Sequence, residues 1–193
     1  MATLRIFIAV DTPAEVKAQI AALRDAISRE CAGVRWEATT KFHCTLQFLG
    51  NVPEGQMPAV EHRVAAAASG SPALQLGYRG IGFFPDSARP RVIWVGVHDA
   101  TGALLRLQGE IARGLEGEGF AGEERPFHPH VTLGRLQGTH PPHRLIEIAE
   151  TRTFEHPPVV VPAVEIMQSV TGSRGTSYAV LRSIPLSGSG TAR

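Results

Sequence analysis

Two tetrads in this chain carry the residue types of acid–base chemistry, His43-Cys44-Thr45-Leu46 and His130-Val131-Thr132-Leu133, and they lie 87 residues apart (130 − 43). Each offers an imidazole and a hydroxyl. Histidine's ordinary pKa, about 6.5, lets one ring stand neutral while its partner is protonated near neutral pH. The neutral ring can take a proton from attacking water, and the protonated ring can give one to a leaving alkoxide. Each such transfer contributes roughly 10²–10⁴-fold. The threonine hydroxyls, with nearby backbone N–H groups, can stabilise charge building on phosphate oxygens. Both proton transfers and charge stabilisation are then supplied by the chain, so no metal or cofactor is expected.

One His-x-Thr unit is a weak signal, but here the surrounding sequence repeats as well. The same offset carries Leu4–Val10 onto Arg91–Val97 without a gap, so that Ile6 meets Ile93, Phe7 meets Trp94, Ala9 meets Gly96 and Val10 meets Val97. The chain reads as two related halves, each bringing one unit. Side chains alternate between the faces of a strand, so His43 and Thr45 share one face while Cys44 and Leu46 take the other. The same parity holds for His130 and Thr132 against Val131 and Leu133. If the halves are related by a two-fold axis, the two polar faces converge on one cleft that a tetrahedral phosphate fits. Cys44 is turned into the core by this parity and is not expected to act as a thiol nucleophile.

The elements that must position these faces can be read from periodicity. Residues 4–10 read as a strand, and Thr12 as the N-cap of a helix with Pro13 at its first position and Val16, Ile20, Leu23 and Ile27 on its buried face. Strands are expected at 34–36 and 43–49, a helix near 54–68, and a strand at 73–79 running into a turn at Gly80-Ile81-Gly82-Phe83-Phe84-Pro85. The second half repeats this order: a strand at 91–97, a helix near 101–117, a strand at 130–136 and a helix about 143–150. The β-rich stretches 159–170 and 177–186 close the sheet. The fold class is therefore α+β, with two pseudo-two-fold-related lobes, each an antiparallel-rich sheet with outer helices, and the active-site cleft between them. Residues 1–186 read as a single bilobal domain and 187–193 as a flexible tail.

Composition narrows the class. The chain has 193 residues, 43% of them apolar, and a net charge of +1 from 19 basic and 18 acidic side chains. A protein that coats long nucleic acid needs a dominant basic face, which this balance does not provide. It leaves room for RNA ends or small cyclic nucleotides as substrates, held by a few local cations. Cys31 and Cys44 form no disulfide framework, and no apolar stretch approaches a membrane span, so a cytoplasmic, membrane-free monomer is expected.

Beyond the tetrads, further stretches are distinctive: Arg5-Ile6-Phe7-Ile8-Ala9-Val10, Lys41-Phe42-His43-Cys44-Thr45-Leu46-Gln47-Phe48-Leu49-Gly50, Gly80–Pro85, Arg89–Gly96 and Arg125-Pro126-Phe127-His128-Pro129-His130-Val131-Thr132-Leu133-Gly134-Arg135. In these the chain resembles the 2H phosphoesterase superfamily, named for paired His-x-Thr/Ser motifs, and within it the RNA 2′,3′-cyclic phosphodiesterases, formerly called 2′-5′ RNA ligases. The Ser177-Tyr178 strand fits that family's C-terminal end. Two departures are His128, where a small polar residue or threonine is usual, and Gly134, where alanine is common. The resemblance implies hydrolysis of a terminal 2′,3′-cyclic phosphate to a 2′-phosphomonoester, with reversible 2′-5′ RNA ligation as a possible second activity. It also implies His43 as the proton donor to the leaving 3′-oxygen and His130 as the base. Residue pattern alone leaves that assignment open, because the pair is nearly symmetric.

Arg135 and Phe48 each lie five residues beyond a histidine, and by parity both point away from the histidine face unless a bulge intervenes. Arg135 is a candidate phosphate contact or interlobe ion pair, and Phe48 is expected in the core. Of Phe83 and Phe84, one is expected in the core and the other, with Phe84 the candidate, against a nucleobase. Lys41, Arg79, Arg89 and Arg125 are candidates for attracting an RNA end. Two rival readings stand beside this one. A binding module on the same fold would hold a nucleotide without turning it over, though it would have no need of two titrating groups. A metal-dependent hydrolase would use the histidine-rich stretch 128–143, which lacks ligand spacing and accompanying carboxylates.

Overall fold

A computed structural model of the chain describes residues 2–122, 125–137, 143–172 and 175–188. In chain order the elements are β1 (Thr3–Asp11), α1 (Ala14–Ser28), β2 (Val34–Trp36), β3 (His43–Pro53), α2 (Met57–Ser69), β4 (Leu74–Phe84), β5 (Val92–His98), α3 (Ala103–Glu116), β6 (His130–Leu136), α4 (His143–Thr151), β7 (Glu155–Val161), β8 (Ala163–Gly172) and β9 (Gly175–Pro185). The class is α+β, as the alternation of strands and helices predicts.

The strands run in the order β7-β4-β5-β6-β3-β1-β8-β9, with β2 added alongside β6. All the pairings are antiparallel. The two histidine strands meet at the centre through one residue pair, Cys44 with Val131. These residues are equivalent under the 87-residue offset, so the pseudo-two-fold axis passes between them. Outward from that axis each lobe has the same order: the histidine strand, the first strand of the same half, a strand lent by the other half, and an edge strand. β8 lies beside β1, and β4 lies beside β5. The two expected sheets are thus joined edge to edge at a single bridge.

Parity decides what each face holds. On β1, Ile6, Ile8 and Val10 enter the main core with Val16, Ile20, Leu23 and Ile27 of α1. Leu107 and Ile111 of α3 and Leu145 and Ile148 of α4 join the same core. Phe7 and Ala9 face the opposite way and cluster with Met167 and Tyr178. The helices cover one face of the sheet, and the histidines rise from the other. Cys44 is 2% exposed in the main core, and burial pushes its thiol up to about 12. It is a packing residue. No helix among the described residues is long and apolar enough to cross a membrane.

Four expectations need correction. Thr12 does not cap α1: Pro13 holds the cap position, its carbonyl accepting from Lys17 N–H at 2.9 Å, and Thr12 is 1% exposed. Gly80–Phe84 is strand and not turn. Gly80 takes a left-handed φ of 73° at a register shift, and this bulge lets β4 run on to Phe84. The single β-rich stretch 159–170 is two strands, β7 and β8, split at Pro162. Pro157 and Pro158 lie in β7 at the sheet's edge, where a missing N–H costs no ladder bond. Finally, Phe48 is on the surface and not in the core. At the end of the chain, Ser187 and Gly188 donate to the carbonyls of Ala68 and Ser71 at 3.3 and 2.9 Å. The rest of the expected tail, 189–193, lies outside the described residues.

Candidate active site

Both histidines sit at the first position of their strands, on the face opposite the helices, with the threonines two residues on. Across the Cys44–Val131 bridge these four side chains line one cavity of about 330 Å³. The other sequence candidates, Lys41, Phe84, Arg125 and Arg135, line the same cavity. Glu37, Phe48, Val92 and Tyr178 complete it. Arg79 and Arg89 do not reach it.

A bulge accounts for Phe48 and Arg135. Ile8 pairs with Gln47 but Ala9 pairs with Thr45, which leaves Leu46 as an extra residue in β3. In β6, Ile93 pairs with Gly134 but Trp94 with Thr132, which leaves Leu133 extra. The two bulges fall at equivalent positions, one residue past each threonine. Each reverses the facing of the residues beyond it on the strand. Phe48, expected in the core, is therefore 58% exposed and stands in the cleft. Arg135 is turned to the same cleft and pairs with Glu37 at 3.6 Å, so it is both a cavity residue and half of an ion pair. Phe83 is buried, while Phe84 faces the cavity with its ring edge-on to His130 at 4.8 Å.

Glu37 was not legible as a site residue. It comes directly after β2, and its N–H donates to the carbonyl of the bulged Leu133 at 2.8 Å. That bond carries a largely buried carboxylate to the cavity rim, where it also accepts from Lys41 Nζ at 3.1 Å. Tyr178, on β9, meets His43 edge-on at 5.3 Å, and Lys41 Nζ lies 5.5 Å from the centre of its ring.

The two imidazoles are held differently. His130 Nδ1 lies 2.7 Å from the carbonyl of His128. A carbonyl only accepts, so Nδ1 carries the hydrogen, and in the neutral ring Nε2 is left as a free acceptor. Burial lowers the His130 pKa, with His128 and Arg135 adding to the effect and the His128 carbonyl opposing it. His43 is pushed down to about 4, first by burial and then by the charges of Lys17 and His130. The Lys41 carbonyl works against this shift but closes no hydrogen bond to the buried Nδ1. Burial thus biases both rings toward their neutral forms, beside a rim that carries Lys41, Arg125 and Arg135. An anion between the rings would favour their charged forms and raise both values.

Among the described residues, no group of three His, Cys, Asp or Glu side chains is arranged to hold a metal ion. Part of the stretch 128–143, including His140, lies outside the described residues.

Comparison with known proteins gives a consistent result. Over 173 residues the chain is 34% identical to an RNA 2′,3′-cyclic phosphodiesterase of Aeropyrum pernix, covering 89% of this chain and 97% of that protein. It is 32% identical over 178 residues to one from Thermotoga maritima, covering 92% and 93%. A crystal structure from Thermus thermophilus superposes with a TM-score of 0.82 at 26% identity, covering 96% of this chain and 99% of the other. E. coli LigT complexed with 3′-AMP gives a TM-score of 0.74 at 26% identity, with coverage of 96% and 99%. The family described as LigT like phosphoesterase matches residues 10–94 and then, a second time, residues 95–178, one match for each copy of the repeat. By those two matches, this chain belongs to the LigT-like phosphoesterase family.

Proposed function

We propose that the chain hydrolyses the 2′,3′-cyclic phosphate at an RNA end to a 2′-phosphomonoester, by metal-independent catalysis with two histidines. The observation that carries this reading is that His43, Thr45, His130 and Thr132 line one cavity across the pseudo-two-fold axis. Relatives named RNA 2′,3′-cyclic phosphodiesterase support a cyclic phosphate as the group attacked.

In this mechanism the cyclic phosphate lies between the rings, with the hydroxyls of Thr45 and Thr132 donating to its non-bridging oxygens. His130 is the base. Its Nδ1–H is committed to the His128 carbonyl, which keeps Nε2 free to take a proton from water. The water oxygen attacks phosphorus in line with the bond to the 3′-oxygen. As that bond breaks, His43 gives its proton to the departing oxygen. The phosphate's negative charge supplies the proton affinity that the buried His43 ring lacks when the cavity is empty. Arg135 and Lys41 add positive charge at the rim. With a 5′-hydroxyl in place of water, the same two transfers would make a 2′-5′ linkage.

The test is hydrolysis of a nucleoside 2′,3′-cyclic phosphate by wild type, His43→Ala and His130→Ala, with the product's phosphate position determined. The expected results are a bell-shaped pH profile, a 2′-phosphate product and near-complete loss in both variants. Substantial activity in either variant would overturn the paired-histidine mechanism.

A further inference from the structure

A larger groove of about 780 Å³ adjoins the histidine cavity and shares Glu37, Lys41, Phe48, Arg135 and Tyr178 with it. It opens on the His43 side. Phe7, whose ring stacks on His43 at 5.0 Å, lines the groove, as does Tyr178, which meets His43 edge-on. Neither histidine lines it, so its link to His43 runs through these two rings.

The groove's charge is one-sided. Arg5, Arg35, Lys41 and Arg135 line it against a single carboxylate, Glu37. Glu37 is already engaged by Lys41 and Arg135. Arg5 and Arg35 are exposed and hold no ion pair among the described residues. In a chain with net charge +1 this is a local concentration and not a general excess. Parity and pairing explain how it forms. Arg5 precedes Phe7 by two residues on β1, so it extends the His43-side face outward. Arg35 is opposite Arg135 in the β2–β6 pairing.

In-line chemistry sets the direction. With His43 at the leaving 3′-oxygen, the ribose lies on the His43 side and water enters from the His130 side. The 5′-oxygen of that ribose carries the rest of the strand, so the strand leaves the cavity where the groove begins. A pocket of roughly 300–1,000 Å³ accommodates a whole drug-sized ligand, so there is room beyond the reacting nucleotide. We propose that this groove binds the backbone of single-stranded RNA upstream of the cyclic phosphate, with Arg5 and Arg35 each pairing with a phosphate. An RNA strand with phosphates upstream of the reacting nucleotide is then bound more tightly than a free cyclic mononucleotide, which the histidine cavity alone would hold. This inference rests on the hydrolytic reading of the histidine cavity.

The experiment compares adenosine 2′,3′-cyclic phosphate with a short single-stranded oligoribonucleotide ending in the same group, across a salt series. Wild type should show the lower KM for the oligonucleotide, rising with salt. In the double variant Arg5→Ala/Arg35→Ala that preference should disappear, with kcat and mononucleotide kinetics unchanged. At roughly 0.7 per single-strand phosphate contact, the log–log salt slope should flatten by about 1.4. An unchanged oligonucleotide preference in the variant overturns the proposal, and so does an equal loss on both substrates. If wild type turns over neither substrate, the hydrolytic reading fails on its own. Binding of the same oligonucleotide then decides the groove, and equal affinity for wild type and variant overturns it.

Discussion

His43 and His130 occupy equivalent positions in a repeated sequence, yet their surroundings hold the two rings differently. His130 has its Nδ1–H fixed by the His128 carbonyl, and His43 has a buried Nδ1 with no partner. Phe7 lies flat against His43 at 5.0 Å, while its counterpart Trp94 is tilted 6.2 Å from His130. The second aromatic neighbour differs as well. Tyr178 of β9 serves His43 and Phe84 of β4 serves His130, and the two are not repeat equivalents. Duplication keeps both imidazoles, and a neighbouring carbonyl sets one apart from the other.

The sharpest way to break this comparison is chemical. His43→Ala and His130→Ala should each lose roughly 10²–10⁴-fold in kcat on a cyclic phosphate, as expected for one lost proton transfer. A nucleotide p-nitrophenyl diester has a leaving group that departs without a proton. On that substrate His43→Ala should recover most of its rate and His130→Ala should not. Equal recovery in both would mean that the rings share the two roles.

The threonines test how far the symmetry extends. Thr45→Val and Thr132→Val should each lower kcat by roughly 10²–10³, the usual cost of one donor to a developing oxyanion. A much larger loss at one position would show the phosphate leaning toward that lobe.

A smaller effect concerns stability. Because His43 is held at about 4 against an ordinary 6.5, the unfolded chain binds a proton in that interval which the folded chain excludes. Stability should therefore fall as pH drops from about 6.5 toward 4, with no further contribution from this ring below that. Unfolding melts of wild type and His43→Gln across this range should diverge in that direction. Saturating phosphate should shrink the difference by raising the ring's pKa.

The smallest change lies under Trp94. A Cβ on Gly82 would come within 2.3 Å of the Trp94 ring. Gly82→Ala should therefore cost about 1–3 kcal/mol as overpacking, read as a lower Tm. It should also reduce activity by shifting Trp94 against His128, which lies 4.7 Å away.

Much of this arrangement was legible in the sequence. The offset paired the two histidine units, parity separated Cys44 from Thr45, and the expected strands and helices fall close to the observed ones. What parity could not foresee was the bulge at Leu46 and Leu133, since nothing in those leucines announces an unpaired residue. Strict alternation therefore puts Phe48 in the core and turns Arg135 away from the histidine face. Glu37 carries no local sequence signal, because a single backbone bond to Leu133, nearly 100 residues away in sequence, brings it to the rim. The Gly80–Phe84 segment read as a turn because two glycines usually interrupt a strand. Here one makes a bulge and the other makes room for an indole.

The exchanged strands have one more consequence. The hydrogen-bond partners of β4 are β5 and β7, both in the second half of the chain, and β1 depends on β8 from that same half. Cutting the polypeptide between the repeats would therefore not yield two small proteins. Each fragment would keep a strand with nothing to pair with and lack one that its own sheet requires. The repeats are interlocked, and losing the structure of either one strips a strand from the other.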